Sequence, residues 1–594
     1  MRTATEVEHY FHTSEISTFT INENEDTLVF STNLNGTFNL WAVDLPHLFP
    51  YPLTTINQNS NLIHIHQNQI IATFEKDGDE NQQLHHLPLS GGTPIPFHEE
   101  ESGSTCYHAF FTDQEMYYST NHENPLLNIY KTELQTGHTT LIQQGDKAPI
   151  VVAAASSDGS YVYTETYSNT HTTAFYQTSD RKVPLVPDVN TVHTIKDIYL
   201  TRDTIYFTTN YGKEFSYLAS FNLSTYEFHS LFALDKEEIT SIQFHQQSNK
   251  IFLTAEKGVR DHLYVYGLST GEGERVDTPC DVIKKIKVTK NGNLFALGIS
   301  ADKTDTIYKR ETNGCWAQVT NTKVLGVPEG NMIKPDIVHY ESHDGLEIEA
   351  LLYKSEKPNG VTILWPHGGP QKAERMVYRP VIQYLVHSGY TLFAPNFRGS
   401  KCYGATFEKM VEQNWGDGPR HDCVAGMEWL IQEGFAEKGK IVAMGGSYGG
   451  YMSLLLAGRH PEYFCGIVDI FGISNLLTFL KNVPASWRTL MDQMVGNPET
   501  DYEKLVKDSP ITYIDHMDSP MFIIHGKNDP RVKTEESERI VDELKNKGIA
   551  VEYLLFDDEG HGFSKKKNEM RANKEIRRFL DGLVKADHEC RLRR

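Results

Sequence analysis

Along residues 16–320 the apolar positions recur in short alternating runs. Ile16-Ser17-Thr18-Phe19-Thr20-Ile21 is followed by Thr27-Leu28-Val29-Phe30-Ser31 and Phe38-Asn39-Leu40-Trp41-Ala42-Val43. A period of two is the pattern of a strand with one buried face. A second copy begins near Asn61, with His64-Ile65-His66, Gln69 to Phe74 and Gln83 to Leu87; further copies begin near Cys106, Ile150, Val192, Ile239 and Val282. Asn-Gly, Asp-Gly and Ser-Asn pairs punctuate them as turns. The spacing of about 42–46 residues is that of four-stranded propeller blades, and the count is seven. One four-stranded sheet cannot cover both its faces, whereas radial stacking buries them and leaves only short edges. Copies four and five are the least regular, and an irregular pair of β-sandwiches is the alternative.

From about residue 335 the pattern changes. Continuous apolar runs appear at Val361 to Trp365, Tyr390 to Ala394, Ile441 to Met444, Gly466 to Ile470, Met521 to Ile524 and Val551 to Leu555. Helical stretches lie between them, at 405–413, 419–433, 449–458, 534–547 and 564–585. Such an alternation predicts a mostly parallel sheet with helices on both faces. Pro328 to Asn331 reads as the linker into it.

Composition narrows the function classes. With 594 residues, 39% of them hydrophobic and 11% aromatic, the chain is long enough for two or more cores. Its 56 basic and 78 acidic residues give a net charge of −22, which disfavours nucleic-acid partners. No apolar run of about 20 residues suggests a membrane span, and the N-terminus lacks a signal-peptide pattern. The seven cysteines are scattered without a CxxC pair, so neither a disulfide framework nor a cysteine zinc cluster is expected. A cytoplasmic protein without metal or cofactor is the expectation, with homo-oligomerisation left open.

The charge is unevenly spread. Residues 1–330 carry 22 basic and 40 acidic side chains, while residues 331–594 carry 34 and 38. Only Arg2 and Lys76 are basic in the first 130 residues. Among the histidines His64, His66, His85 and His86, alternation puts His64 and His66 on one strand face, as a chelate would require. No third ligand at a supporting spacing follows, so they read as strand or surface histidines. The run Glu99-Glu100-Glu101 has the charge to grip a substrate ammonium, but an isolated acidic run reads as solvated loop.

The sharpest chemical signal is Gly445-Gly446-Ser447-Tyr448-Gly449, directly after the apolar run Ile441 to Met444 and before a helix of small residues. This is G-x-S-x-G in its strand–turn–helix context, where side chains at Gly445 or Gly449 would strike neighbouring backbone. A serine hydroxyl needs a base, and the base needs an orienting acid. Asp529 follows the run Met521 to Ile524, and His561 follows Val551 to Phe556 within Gly560-His561-Gly562. Asp557, Asp558 and Glu559 are rival acids and His525 a rival base; Ser447, Asp529 and His561 are the expected triad. Oxyanion donors are expected from the amide of Tyr448 and from Gly369 in the loop His367-Gly368-Gly369-Pro370.

The elbow Gly-Gly-Ser-Tyr-Gly-Gly, that loop, Asn396-Phe397-Arg398-Gly399-Ser400 with Tyr403-Gly404, and Trp415-Gly416-Asp417 together resemble the prolyl oligopeptidase family of serine peptidases. His367, where prolyl oligopeptidases and dipeptidyl peptidases carry a tyrosine, resembles the acylaminoacyl-peptidase branch. The resemblance implies an all-β seven-bladed propeller over residues 1–328, followed by an α/β-hydrolase domain over 329–594. The first ~15 residues are expected to pack on the hydrolase domain. It implies the triad and oxyanion donors just named, and Arg531 at the substrate site, where a guanidinium can bind a carbonyl or carboxylate. Phe471 and Trp487 are candidates for an apolar pocket wall. The implied substrates are short peptides or acyl-peptides, selected by size beneath the propeller. A carboxylesterase or amidase with the same triad is the alternative. A free-amine-gripping glutamate pair of the dipeptidyl type is not evident, which disfavours aminodipeptidase activity.

Overall fold

The computed structural model describes residues 6–60, 63–66, 68–75, 79–97, 105–484 and 487–592. Glu99, Glu100 and Glu101 lie outside the described residues. Residues 16–318 form seven four-stranded antiparallel sheets, whose first strands begin at Ile16, Ile63, Cys106, Ile150, Ile195, Glu238 and Val282. The alternation read in the sequence is visible in the burial of Ile150–Ala155, where every second residue is inside. Neighbouring first strands touch one another around the ring, and Ile16–Ile21 touches Val282–Val288 to close it. These strands therefore form the inner wall of a propeller.

Each blade comes from one continuous segment, so the ring closes by packing and not by an exchanged strand. Phe19, Phe30 and Val43 of blade 1 interdigitate with Phe295, Leu297 and Ile307 of blade 7. The seam is also pinned by the Ile16 amide, which donates to Asp305 Oδ2 at 2.9 Å, and by Lys284, which donates to the Ile16 carbonyl at 2.8 Å.

The second domain is built on an eight-stranded sheet. Six strands are parallel, in the order Thr391–Pro395, Thr362–Leu364, Ile441–Gly446, Phe464–Ile470, Met521–Gly526 and Val551–Phe556. Two strands not expected from the sequence, Asp336–Glu341 and Glu347–Tyr353, extend one edge antiparallel. Their interspersed carboxylates and His339 disguise them as surface. Alternate residues feed two separate cores: Ile441, Ala443 and Ile467 pack on one face, Val442, Met444 and Val468 on the other. Both faces are thus covered by helices, which is why these strands read as unbroken apolar runs.

A short N-terminal helix, Val7–Phe11, leaves the propeller and buries Val7, Tyr10 and Phe11 in the second domain's core beside Ile382 and Tyr384. The Tyr378 hydroxyl donates to the Tyr10 carbonyl at 3.2 Å. Among the described residues no helix is long and apolar enough to cross a membrane.

Propeller carboxylates line much of the contact between the domains. Glu214 accepts from the Thr406 amide at 2.6 Å, and Arg375 bridges Glu256 and Asp261. Glu238 lies behind the Gly404 amide, and burial pushes its carboxyl up to about 7, with Lys196 opposing and Glu408 and Glu256 adding to the rise. A raised carboxyl contributes stability below its unfolded value of about 4.5, and that contribution is lost as pH rises through about 7. Glu238→Gln is therefore expected to stabilise the fold more at pH 8 than at pH 5, by about 2 kcal/mol, seen as a larger rise in melting temperature at pH 8. Calorimetric melts at the two pH values check this.

Candidate active site

The site is assembled at the ends of three parallel strands, Ile441–Gly446, Met521–Gly526 and Val551–Phe556, with Phe464–Ile470 between the first two. Strand Ile441–Gly446 ends in Ser447, whose backbone is held at φ 57° and ψ −121° before the helix Tyr448–Arg459. The turn is possible because its flanks are bare. A methyl at Gly445 would lie 2.4 Å from the Gly449 carbonyl carbon, and one at Gly449 would lie 2.1 Å from the Pro366 oxygen. The Ser447 amide is anchored to the Ile470 carbonyl at 2.9 Å on the next strand. The strain is thus held by backbone on both sides, and the hydroxyl is lifted above the sheet.

His561 Nε2 stands 2.9 Å from Ser447 Oγ, and His561 Nδ1 stands 2.6 Å from Asp529 Oδ2. The other oxygen of Asp529 accepts the amides of Arg531 and Val532 at 2.8 and 2.9 Å. Burial opposes ionisation of Asp529, but hydrogen bonds from His525 and His561 and the Val532 amide outweigh it, holding the carboxyl well below the usual range. Asp529 is therefore an anion at every physiological pH.

The rival residues have other duties. His525 is buried, with Nδ1 2.7 Å from Ser537 Oγ and Nε2 2.9 Å from the Val532 carbonyl. Glu559 is buried and accepts from the Ser564 amide and hydroxyl and from Asn568, which staples the loop carrying His561. Asp557 and Asp558 pair with Lys527 and Lys565.

The loop His367 to Pro370 runs beside the elbow: a methyl on Gly368 would lie 3.7 Å from Ser447 Cβ. His367 fixes it, with its ring stacked on Phe397 at 4.2 Å and Nε2 2.8 Å from Ser400 Oγ. Burial pushes the His367 imidazole down to about 4, so it is neutral at physiological pH. The Tyr448 amide opens its helix and has no intrahelical acceptor, and Gly369 lies on the wall of the same cavity. Both line that cavity together with Ser447.

That cavity holds about 210 Å³ and is apolar on one side, where Ile473, Phe479, Leu490, Met491 and Met494 meet Trp415 and Trp487. It accommodates one sizeable side chain. Phe471 is placed differently from the sequence expectation: its ring lies 4.6 Å from the His561 ring, and it backs the imidazole instead of lining this cavity. The cause is local, since Phe471 has φ 45° at the end of its strand and turns away. Trp487 does line the cavity, and the Arg531 guanidinium lies over its ring at 5.5 Å. Arg531 is tied across the domain boundary to Glu80 at 2.9 Å.

The site opens on a larger chamber of about 1030 Å³ beneath the propeller, walled by Glu15, Glu75, Glu80 and Gln82 on one side and Arg531 and His561 on the other. Two contributors escaped the sequence reading. Asn169, on a propeller turn, lines the small cavity and donates to Gln371 at 2.8 Å. Glu80 holds Arg531. Neither carries a motif, because blade loops have no fixed pattern.

Residues 377–587 match the model of the prolyl oligopeptidase family. Dipeptidyl aminopeptidase BIII of Pseudoxanthomonas mexicana is 38% identical over 223 residues, 37% of this chain and 32% of that protein. The rat acylamino-acid-releasing enzyme is 24% identical over 231 residues, 37% of this chain and 31% of that protein. The matched stretch thus spans about a third of either relative. A solved puromycin-hydrolyzing peptidase of Mycobacterium tuberculosis superposes over 98% of this chain and 96% of its own, with a TM-score of 0.84 at 16% identity. The family likeness is carried by the second domain, while the architecture is shared from end to end.

Proposed function

We propose that this protein is a serine peptidase that hydrolyses short peptides through an acyl-enzyme on Ser447. The supporting observation is the hydrogen-bonded series Asp529–His561–Ser447, open to a chamber roofed by the propeller. Ser447 Oγ attacks the peptide carbonyl carbon while His561 Nε2 takes its proton, and Asp529 stabilises the imidazolium. The oxyanion accepts from the Tyr448 and Gly369 amides, each worth about 3 kcal/mol where such donors have been removed. The C–N bond breaks as His561 returns the proton to the departing amine. Water then attacks the ester by the same base, releasing the carboxylate and Ser447.

The finer reading is release of an N-terminal acylated residue. It rests on the branch resemblance at His367 and on the relative named for releasing acylamino acids. The small apolar cavity would receive the side chain of the residue supplying the scissile carbonyl.

A second reading is favoured by the acidic chamber wall. Glu75 is pushed up by burial, opposed by Gln82 and Arg531 and helped by Glu80 and Asp79, and an entering ammonium would favour its ionised form. The relative at 38% identity is named a dipeptidyl aminopeptidase. A length-graded peptide panel, with and without N-acetylation and alongside a short acyl ester, separates these readings by kcat/KM. Preference for acetylated peptides supports the first. Preference for free amines that is lost in Glu75→Gln supports the second. Ester turnover with negligible turnover of every peptide overturns the peptidase proposal in favour of a carboxylesterase.

A further inference from the structure

The propeller is acidic overall, yet the first strand of its seventh blade reads Val282-Ile283-Lys284-Lys285-Ile286-Lys287-Val288. Lys284 is accounted for by Asp305 at 3.1 Å. Alternation sends Ile286 into the apolar core between blades 6 and 7 and turns Lys285 and Lys287 to the opposite face. Lys285 Nζ donates to Thr18 Oγ1 at 2.9 Å, on the first strand of blade 1. Among the described residues no carboxylate forms an ion pair with Lys285 or Lys287.

Beyond blade 1, the first strand of blade 2 presents His64 and His66 on one face. Phe111, from the first strand of blade 3, stacks on both rings at 5.7 and 5.5 Å. His66 Nε2 is buried without a hydrogen-bond partner. His64 is open to solvent and yet enclosed by protein: burial, then Lys287, His66 and Lys285, push its imidazole down to about 4. Lys285 is pushed down to about 8 by burial and by Lys287. The strands that carry them are neighbours in the ring, with Val282–Val288 against Ile16–Ile21 and Ile16–Ile21 against Ile63–His66.

All four lie on first strands, the inner wall of the ring. The chamber over Ser447 reaches that wall at Cys106, where the first strand of blade 3 begins. Lys285 and Lys287 repel one another without a carboxylate partner among the described residues, and an anion bound between them offsets that repulsion.

We infer that Lys285, Lys287, His64 and His66 form an anion-binding site in the propeller channel, and that its ligand is the C-terminal carboxylate of a short peptide. The choice of ligand rests on the peptidase reading. A short peptide is a chain with opposite charges at its ends, and the molecule presents Glu75 at the chamber and Lys285 and Lys287 in the channel. Charge-assisted hydrogen bonds to a carboxylate are the natural contribution of such a cluster.

The test is binding to the full chain carrying Ser447→Ala, which removes turnover from the measurement. Calorimetry compares an N-acetyl tripeptide bearing a free C-terminal carboxylate with its C-terminal amide. The acid is expected to bind about tenfold more tightly, and Lys285→Gln with Lys287→Gln to abolish the difference. Lys287→Arg should retain it. Melting curves establish that the double variant folds; if it does not, His64→Gln with His66→Gln takes its place and is expected to reduce the preference severalfold. Equal affinity for acid and amide, no binding of either, or a preference that survives the loss of both lysines overturns the inference. Inorganic phosphate that binds the cluster without being displaced by the acid overturns the choice of carboxylate. A clear acid preference in a protein that hydrolyses no peptide would leave the channel site standing and remove the peptidase reading instead.

Discussion

Ser447→Ala is expected to lower kcat/KM by roughly 10⁵–10⁶-fold while leaving the melting temperature close to that of the parent protein. The size follows from the position of the proposed nucleophile. Ser447 Oγ is the atom that His561 Nε2 faces at 2.9 Å, and no other hydroxyl shares that contact among the described residues. What survives in such a variant is stabilisation by oxyanion donors and substrate positioning, which retains some acceleration over water. The fold should tolerate the change, because the elbow is held by bare glycines and by the Ser447 amide, none of which the substitution alters. Initial rates on a peptide and on an activated ester, with fluorophosphonate labelling, check the claim. Labelling that persists in the variant would move the nucleophile elsewhere.

Asp529→Asn should cost about 10⁴-fold in kcat. Asp529 Oδ2 accepts from His561 Nδ1, which fixes the imidazole with Nε2 free to take the serine proton. An asparagine amide turned toward Nδ1 favours the other tautomer, which presents an N–H to Ser447. The acid also has a measurable role in stability. Its carboxyl is held below the ordinary range, so its contribution is present above the unfolded carboxylate pKa and lost as pH falls toward the folded value. The melting-temperature gap between parent and Asp529→Asn is therefore expected to narrow between pH 7 and pH 3. A gap that widens on acidification would contradict the electrostatic account.

Much of this site was readable because its chemistry is tied to strand ends. Ser447, Asp529 and His561 each follow an apolar run that can only be a buried strand, and parallel packing brings such ends to one edge. The blade count was readable for a similar reason: alternation and turn pairs repeat with a fixed period. What escaped depends on contacts between segments far apart in the chain. Leu490, Met491 and Met494 have helical spacing and look like ordinary core, so only the folded chain shows that they face a cavity. Phe471, a candidate pocket wall alongside Trp487, has a positive φ and lies against the His561 ring. Glu80 and Asn169 come from propeller turns, where nothing local indicates that a second domain will lie opposite.

The N-terminal helix has a consequence for biosynthesis. Val7, Tyr10 and Phe11 emerge from the ribosome ahead of the first blade, yet their packing partners include Ile576 and Leu580, near the other extremity of the chain. Throughout synthesis of the propeller these three apolar side chains wait for Ile382 and Tyr384, and their shelter is completed only when the helix Lys566–Leu592 has been made. Docking of Val7–Phe11 is thus a late event, and it joins the two domains only after Lys566–Leu592 has been synthesised.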